Sequence, residues 1–465
     1  MDLVLKTLVL LLLGSFSSSA PVNGRDYDGY QVWRVIPSTI YQVKSLMKFD
    51  HGLDGLDLID FWRKATPSSV NRPVDIMVPP MLFNHVRDTL TSLNLDIDVI
   101  ISDVGGLIAS QMAENLERRK ARKVSPGVSS LEDFDYTNYH TYDEIQQWVA
   151  DIVAKYSDIT SPFVVTRTYE GREVNSFRIR GRNSQPGATP PPAVWFQGGI
   201  HAREWISPAT VMWFTAKLLE DYENGDDLAV QMFDNMDWYI TPSLNADGYI
   251  YTWTQDRLWR KTRSDNFGDT NSGCKGADPN RNWPFGFGGN GTSPFPCSNI
   301  YHGPEALSEV EVAGVVDYLR NLKAGGQDFH LFLDWHSYGQ FFLSPWSYSA
   351  WAPNPPDYDD MMIMANAAAQ AIFDVHGTVF QSGSSIELLN EAAGSSKDWG
   401  YVPYDPSNRL SGGLGAKYSY TVELRDRGQY GFLLPASQIQ GTGEEMYAGV
   451  RAMGDHILRE LGFIA

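Results

Sequence analysis

Two side chains able to hold a metal stand three residues apart in His201-Ala202-Arg203-Glu204, directly after the apolar run Val194-Trp195-Phe196 and the glycines Gly198 and Gly199. An imidazole nitrogen and a carboxylate oxygen from one turn of chain suit Zn²⁺, whose catalytic sites take three protein ligands and keep a fourth position for water. A third ligand is required. His336 has the fitting context, because it ends the apolar run 329–335 and is followed by Ser337 and Tyr338. Of the other histidines, His51, His85 and His140 lie in the first domain or its linker, and His302, His330, His376 and His456 have less suggestive surroundings. Glu423 follows a second strand-like run, Ser419-Tyr420-Thr421-Val422, and offers a carboxylate for proton transfer or, more plainly, for a surface ion pair with Arg425. Spacing alone also leaves open that His201 is a surface histidine beside a nearby carboxylate.

Groups of this kind need a rigid frame. From residue 142 onward, helix-patterned segments (142–156, 207–222, 307–323, 442–461) alternate with strand-patterned ones (177–180, 193–198, 236–241, 329–334, 419–422). The alternation predicts an α/β fold with a mixed, mostly parallel central sheet and helices on both faces. Sites in such sheets collect at the carboxyl ends of strands, where His201, His336 and Glu423 would all lie. Gly198 and Gly199 permit the sharp exit that this requires. Ahead of this region, residues 27–108 show four short strand-like segments (30–35, 60–62, 74–78, 96–100) and two helix candidates (39–48, 80–93), a small α+β domain.

The chain has 465 residues, too many for one average domain, and its hydrophobic content of 43% supports a large core. Residues 1–20 carry Lys6, an apolar run over 8–13 and then Ser17, Ser18, Ser19 and Ala20, the pattern of a secretory signal. No later run of about 18 apolar residues is present, so no membrane span is expected. Cys274 and Cys297 are the only cysteines, and in an exported chain one disulfide is the simplest account. The sequence Asn290-Gly291-Thr292 lies between them and would be accessible to glycosylation if the protein is exported. Residues 1–123 hold 14 basic and 14 acidic side chains, so the net charge of −19 belongs to the remainder, with 23 and 42. Nucleic acid and anionic membrane are poor partners for such a surface. The basic stretch 117–123 marks a domain boundary and an exposed, flexible place for trypsin-like cleavage.

The segments 201–206, 257–263, 278–283, 335–338 and 423–426, with Tyr430-Gly431-Phe432-Leu433-Leu434-Pro435, strongly resemble the pancreatic carboxypeptidase A/B family in order and spacing. The resemblance covers the chain after Tyr136, and residues 30–35 resemble the opening of that family's inhibitory propeptide. It implies a signal at 1–20, a ferredoxin-like activation propeptide at 21–123 and a zinc carboxypeptidase domain at 124–465. It further implies a secreted, monomeric zymogen, activated by a trypsin-like protease, that removes single residues from peptide C-termini, with dietary digestion plausible. His201, Glu204 and His336 correspond to the zinc ligands, Glu423 to the general base and Arg260 to the stabiliser of the oxyanion. Asn280 and Arg281 correspond to the pair that grips the terminal carboxylate. Arg203, Tyr338 and Phe432 correspond to residues along the substrate's approach, while Arg257 and Arg263 fit structural roles better.

Two positions depart from the family. Asn390 falls where the family has a tyrosine on a mobile loop, which would reduce turnover or affinity and admits an alternative, a weakened or inactive peptide-binding homologue. Lys397 falls at the bottom of the pocket for the departing residue, with Leu343, Ser347, Leu389, Ala392 and Thr421 as walls. A buried ammonium strongly favours a carboxylate partner, so C-terminal Glu or Asp is expected. If Lys397 instead reaches solvent, the pocket is simply polar.

Overall fold

A computed structural model describes residues 24–52, 59–121, 134–184, 187, 190–265 and 273–465. The predicted signal and the 123/124 boundary lie outside the described residues. The first unit is built as its alternation demands. Strands β1 (Gln31–Val35), β2 (Asp60–Arg63), β3 (Val74–Val78) and β4 (Asp98–Ile101) form an antiparallel sheet in the order β2-β3-β1-β4. Helices α1 (Ile40–Gly52) and α2 (Phe83–Ser92) connect them, and Trp33, Val35, Leu46, Val74, Ile76, Val86 and Leu90 form its core.

Helix α3 (Val104–Ala121) corrects the sequence reading, because the charged stretch begins inside it and residues 117–121 are helical rather than a loose connector. Arg118 reaches Glu114 at 2.6 Å and Lys120 reaches Glu117 at 2.9 Å, pairs one turn apart that favour helix over coil. The apolar stripe of α3 is thin, so periodicity gave little warning of it.

The larger unit carries α4 (Tyr142–Lys155), β5 (Thr160–Arg167), β6 (Glu173–Ile179), β7 (Ala193–Gly198), α5 (Ile206–Glu223), α6 (Asp227–Asn235), β8 (Asp237–Thr241) and α7 (Ala246–Thr254). It continues with α8 (Val310–Ala324), β9 (Phe329–His336), β10 (Phe341–Ser344), α9 (Tyr358–His376), β11 (Gln381–Ser384), α10 (Ser385–Leu388), α11 (Ser396–Tyr401), β12 (Tyr418–Glu423) and α12 (Ile439–Glu460). Its eight strands are ordered β11-β10-β12-β9-β7-β8-β6-β5, with the central four parallel. Alternate residues feed two cores: Val194, Phe196, Leu331 and Leu333 pack with α4, α5, α9 and α12, whereas Trp195 and Phe332 pack with α8.

This topology creates the place for a site. The chain leaves β7 toward β8 on one side, while β9 lies on the other, so a crevice opens between the carboxyl ends of β7 and β9. Gly199 turns the chain there at φ 64°. Cys274 and Cys297 are joined as a disulfide. No helix among the described residues is long and apolar enough to cross a membrane.

Candidate active site

His201 and Glu204 follow the end of β7, His336 ends β9, and Glu423 ends β12 opposite His336 in register. His201, Glu204 and His336 bring one ligand atom each to within 4.8 Å of one another, all three buried. His201 Nδ1 lies 2.8 Å from Glu204 Oε1, and His336 Nδ1 lies 3.0 Å from His201 Nδ1 and 3.1 Å from Glu204 Oε2. Two imidazoles and one carboxylate directed at a common point form the donor set of a catalytic zinc centre. The outer ring nitrogens support this assignment. His201 Nε2 meets Asp278 Oδ1 at 3.0 Å and His336 Nε2 meets Asp334 Oδ2 at 3.1 Å, contacts that fix each ring and leave its Nδ1 free for a metal.

Sequence reasoning gave no role to Asp278 or Asp334. Asp334 stands two residues before His336 and so shares its face of β9, a signal readable once the strand is accepted. Asp278 is harder to find, being 77 residues from His201. Its carboxylate also accepts Arg260 Nε at 3.0 Å, Arg260 Nη2 at 2.8 Å and the Asn280 N–H at 2.8 Å. Burial opposes its charge, but Arg260, Arg281 and His201 hold it well below the usual carboxylate range. Arg260 keeps Nη1 on the metal side, 3.7 Å from Glu204 Oε1.

Glu423 is 9% exposed, and its Oε2 has no hydrogen-bond partner among the described residues. Burial, reinforced by Glu204 and opposed by His336, pushes its carboxyl up to about 7. The ion pair open to it on sequence grounds does not form. Arg425 instead grips Glu445, with Nε 2.9 Å from Oε2.

All the sequence-nominated residues, Arg203, Arg260, Asn280, Arg281, Tyr338, Asn390, Lys397, Glu423 and Phe432, line one cavity of about 110 Å³ with the metal group. Asn280 is held by Ser396 N to its Oδ1 at 2.8 Å, and Arg281 donates Nε to Gly291 O at 2.8 Å and Nη1 to Asn280 O at 2.9 Å. Leu343, Leu389, Ala392 and Thr421 line the cavity as expected, joined by Ser385 and Ser395. Ser347 instead sits behind the wall, its N–H 2.9 Å from Asp398 Oδ2. Lys397 is 1% exposed, so it does not reach solvent. Its Nζ donates to Asp398 Oδ1 at 3.1 Å, and burial lowers its pKa against the pull of Asp398.

Arg257 is structural. It donates to Gln111 Oε1, Arg203 O and Phe432 O, and stacks 3.8 Å over Trp205. Arg263 likewise stacks on Tyr251 at 3.7 Å.

The first unit caps this cavity with residues 60–64. Asp60 pairs with Arg203 and accepts Asn299 Nδ2 at 2.9 Å. Burial opposes the Asp60 charge, yet Arg203 wins and lowers its pKa. Arg34 clamps Asp75 through two bonds of 2.6 and 2.7 Å, and Tyr338 donates its hydroxyl to Asp75 Oδ2 at 2.8 Å. Trp62 lies 4.9 Å from Phe432 between ring centroids.

Residues 145–449 match the zinc carboxypeptidase family and residues 33–111 match the carboxypeptidase activation peptide. Carboxypeptidase A4 of Mus musculus is 37% identical over 449 residues, covering 96% of this chain and 98% of that one. Carboxypeptidase A1 of Bos taurus is 36% identical, covering 97% and 99%. Among solved structures, thrombin activatable fibrinolysis inhibitor superposes with a TM-score of 0.76 at 31% identity, covering 92% of this chain and 98% of the other. Carboxypeptidase A from Helicoverpa armigera gives 0.76 at 25% identity, covering 93% and 99%. With its buried two-histidine, one-carboxylate group and the capping unit in front of it, the chain belongs to the zinc carboxypeptidase family and carries that family's activation peptide.

Proposed function

We propose that this enzyme is a secreted, monomeric zymogen, released by a trypsin-like protease, that removes C-terminal Glu or Asp from peptides. The observation that carries the selectivity is the Lys397 ammonium, buried on the lining of the substrate cavity with one hydrogen bond, to an Asp398 already holding Ser347 N, Ser347 Oγ and Tyr348 N. Asp398 is largely satisfied without Lys397, which leaves the ammonium with donors for a substrate carboxylate. An apolar C-terminal residue would leave the remaining donors of that ammonium unsatisfied in the pocket, at a cost of about 1–3 kcal/mol.

Each step then has a residue. His201, Glu204 and His336 would hold the zinc, which when bound would supply an activated water and Lewis-acid polarisation of the scissile carbonyl. Arg281 and Asn280 bind the terminal α-carboxylate, a guanidinium being suited to two oxygens, and this restricts cleavage to the chain end. Glu423 Oε2 takes the proton of the attacking water and delivers it to the leaving amine. Arg260, aimed by Asp278 through Nε and Nη2, donates Nη1 to the developing oxyanion. Arg203, Tyr338 and Phe432 line the path of the preceding residues. In the zymogen those three are held by Asp60, Asp75 and Trp62, which supports inhibition by occupancy of the approach.

Asn390 favours a second reading, a catalytically weakened homologue, since its short amide gives no aromatic cover. The partnered metal group and the unpaired Glu423 argue for turnover. The deciding experiment treats the zymogen with trypsin and profiles release from peptides differing only in the last residue, with and without a zinc chelator. Chelator-sensitive release favouring Glu or Asp is expected. Equal release of all residues would remove the selectivity, and no release under any condition would establish the weakened reading.

A further inference from the structure

One motif lies outside the carboxypeptidase machinery. Asn290-Gly291-Thr292 is the single Asn-x-Ser/Thr sequence of the chain, and it falls on an exposed Gly-rich turn of the catalytic part. Gly291 sits at φ 76°, and a Cβ there would lie 1.9 Å from the Glu391 carbonyl oxygen. The middle residue is therefore fixed as glycine, so residue 291 adds no side chain next to the Asn290 carboxamide. Thr292 Oγ1 donates to Gly289 O at 2.7 Å and closes the turn.

The carboxamide uses one of its two hydrogens. Asn290 Nδ2 donates to Glu391 Oε1 at 3.1 Å, and no second bond from this nitrogen forms among the described residues. A glycosylated asparagine is a secondary amide that keeps one N–H, so a sugar and the Glu391 bond can share the same nitrogen. The backbone around it is already anchored: Ala393 N donates to Asn290 O at 3.0 Å, and Gly291 O accepts Arg281 Nε at 2.8 Å. Glu391 Oε1 also accepts Ala350 N at 2.8 Å, which brings the next residue, Trp351, to the same locality. Trp351 is 91% exposed, the most exposed large apolar side chain among the described residues. A free indole face is a surface on which the apolar faces of sugar rings pack, the use that amphipathic aromatic groups find at wet boundaries.

We propose that Asn290 carries an N-linked glycan whose first N-acetylhexosamine units pack beside Trp351, bracing the loop that carries Asn390. The inference rests on the secretion reading. The donor is a polyprenyl-pyrophosphate-linked oligosaccharide of the secretory pathway. Its anomeric C–O bond breaks with the electron pair leaving on pyrophosphate, a C–N bond forms to Nδ2, and Nδ2 loses one proton to the transferase. Gly291 and Thr292 satisfy the acceptor motif.

The test expresses the full chain, with its own first 20 residues, in a glycosylating secretory host and digests the product with peptide N-glycosidase in heavy-oxygen water. A mobility shift and heavy-oxygen aspartate at position 290 are expected. Thr292→Ala should abolish both while keeping the Asn290 carboxamide on Glu391. Trp351 should be oxidised more slowly by a hydroxyl-radical footprint in the wild type than in Thr292→Ala. An unmodified Asn290 in protein recovered from the medium overturns the glycan and leaves secretion standing. An unglycosylated chain that stays inside the cells with its first 20 residues intact overturns secretion, and the glycan with it. Equal oxidation of Trp351 with Asn290 modified overturns the packing.

Discussion

The two ends of the cleft are built from different material. At the metal end His336 and Glu423 close parallel strands β9 and β12, and His201 and Glu204 follow directly on β7; Asp278 and Asp334 stand behind the two imidazoles. At the pocket end Asn390, Ala392, Ser395 and Lys397 come from the segment between β11 and the first turn of α11. Strand ends locked in register hold reacting groups to a fraction of an ångström, while connecting segments change residue type without disturbing the sheet. On the proposed function, bond cleavage belongs to the rigid end and choice of substrate to the adaptable one.

The largest expected effect tests the rigid end. Glu423→Gln should lower kcat by about 10³-fold, within the range of a lost general base, with zinc stoichiometry unchanged by metal analysis. Loss of zinc as well would mean that Glu423 belongs to the metal shell. At the adaptable end, Lys397→Ile should shift the ratio of kcat/KM for C-terminal Glu over Leu by about 10²-fold while sparing the kcat of the better substrate. An unchanged ranking would sink the assignment of selectivity to Lys397. Asp278→Asn or Asp334→Asn should weaken zinc binding by about tenfold or more, read by competition with a chromogenic chelator. A loss confined to peptide affinity would break the division of labour.

The smallest effect lies away from both ends. Glu311 is fully buried, with Oε2 unpartnered, and burial pushes its carboxyl from 4.5 up to about 8. A raised folded-state pKa means that the folded protein holds the proton more tightly than the unfolded chain. The stability from the neutral form is complete below the unfolded pKa and is lost as pH rises through the folded one. Glu311→Gln should raise Tm by about 2–4 °C near pH 8 and converge with the wild type near pH 4 in scanning calorimetry. An equal shift at both pH values would assign the effect to packing.

These differences follow what was legible in the sequence. Runs such as Val194-Trp195-Phe196 and 329–335 announce strands because burial on both faces leaves them mostly apolar, and the residues at or just past their ends then fall at one edge. The resemblance supplied the rest of the cleft, including Arg260 and Lys397. Asp278 escaped notice because its role depends on the distant partners His201 and Arg260. The short strand β10, the short edge strand β11 and helix α3 were missed, since four residues carry too little periodicity and α3 shows a weak apolar face. The contacts of Asp60 and Asp75 across the cleft have no sequence signature at all.

On the proposed function, those contacts govern how the enzyme is switched on. While one chain joins both parts, Asp60 and Asp75 face Arg203 and Tyr338 at an effective concentration on the order of millimolar. Cutting the connection removes that enforced proximity without itself altering the side chains that make the contacts. Inhibition then becomes an ordinary bimolecular equilibrium, so a cleaved sample should regain activity on dilution and lose it again on concentrating.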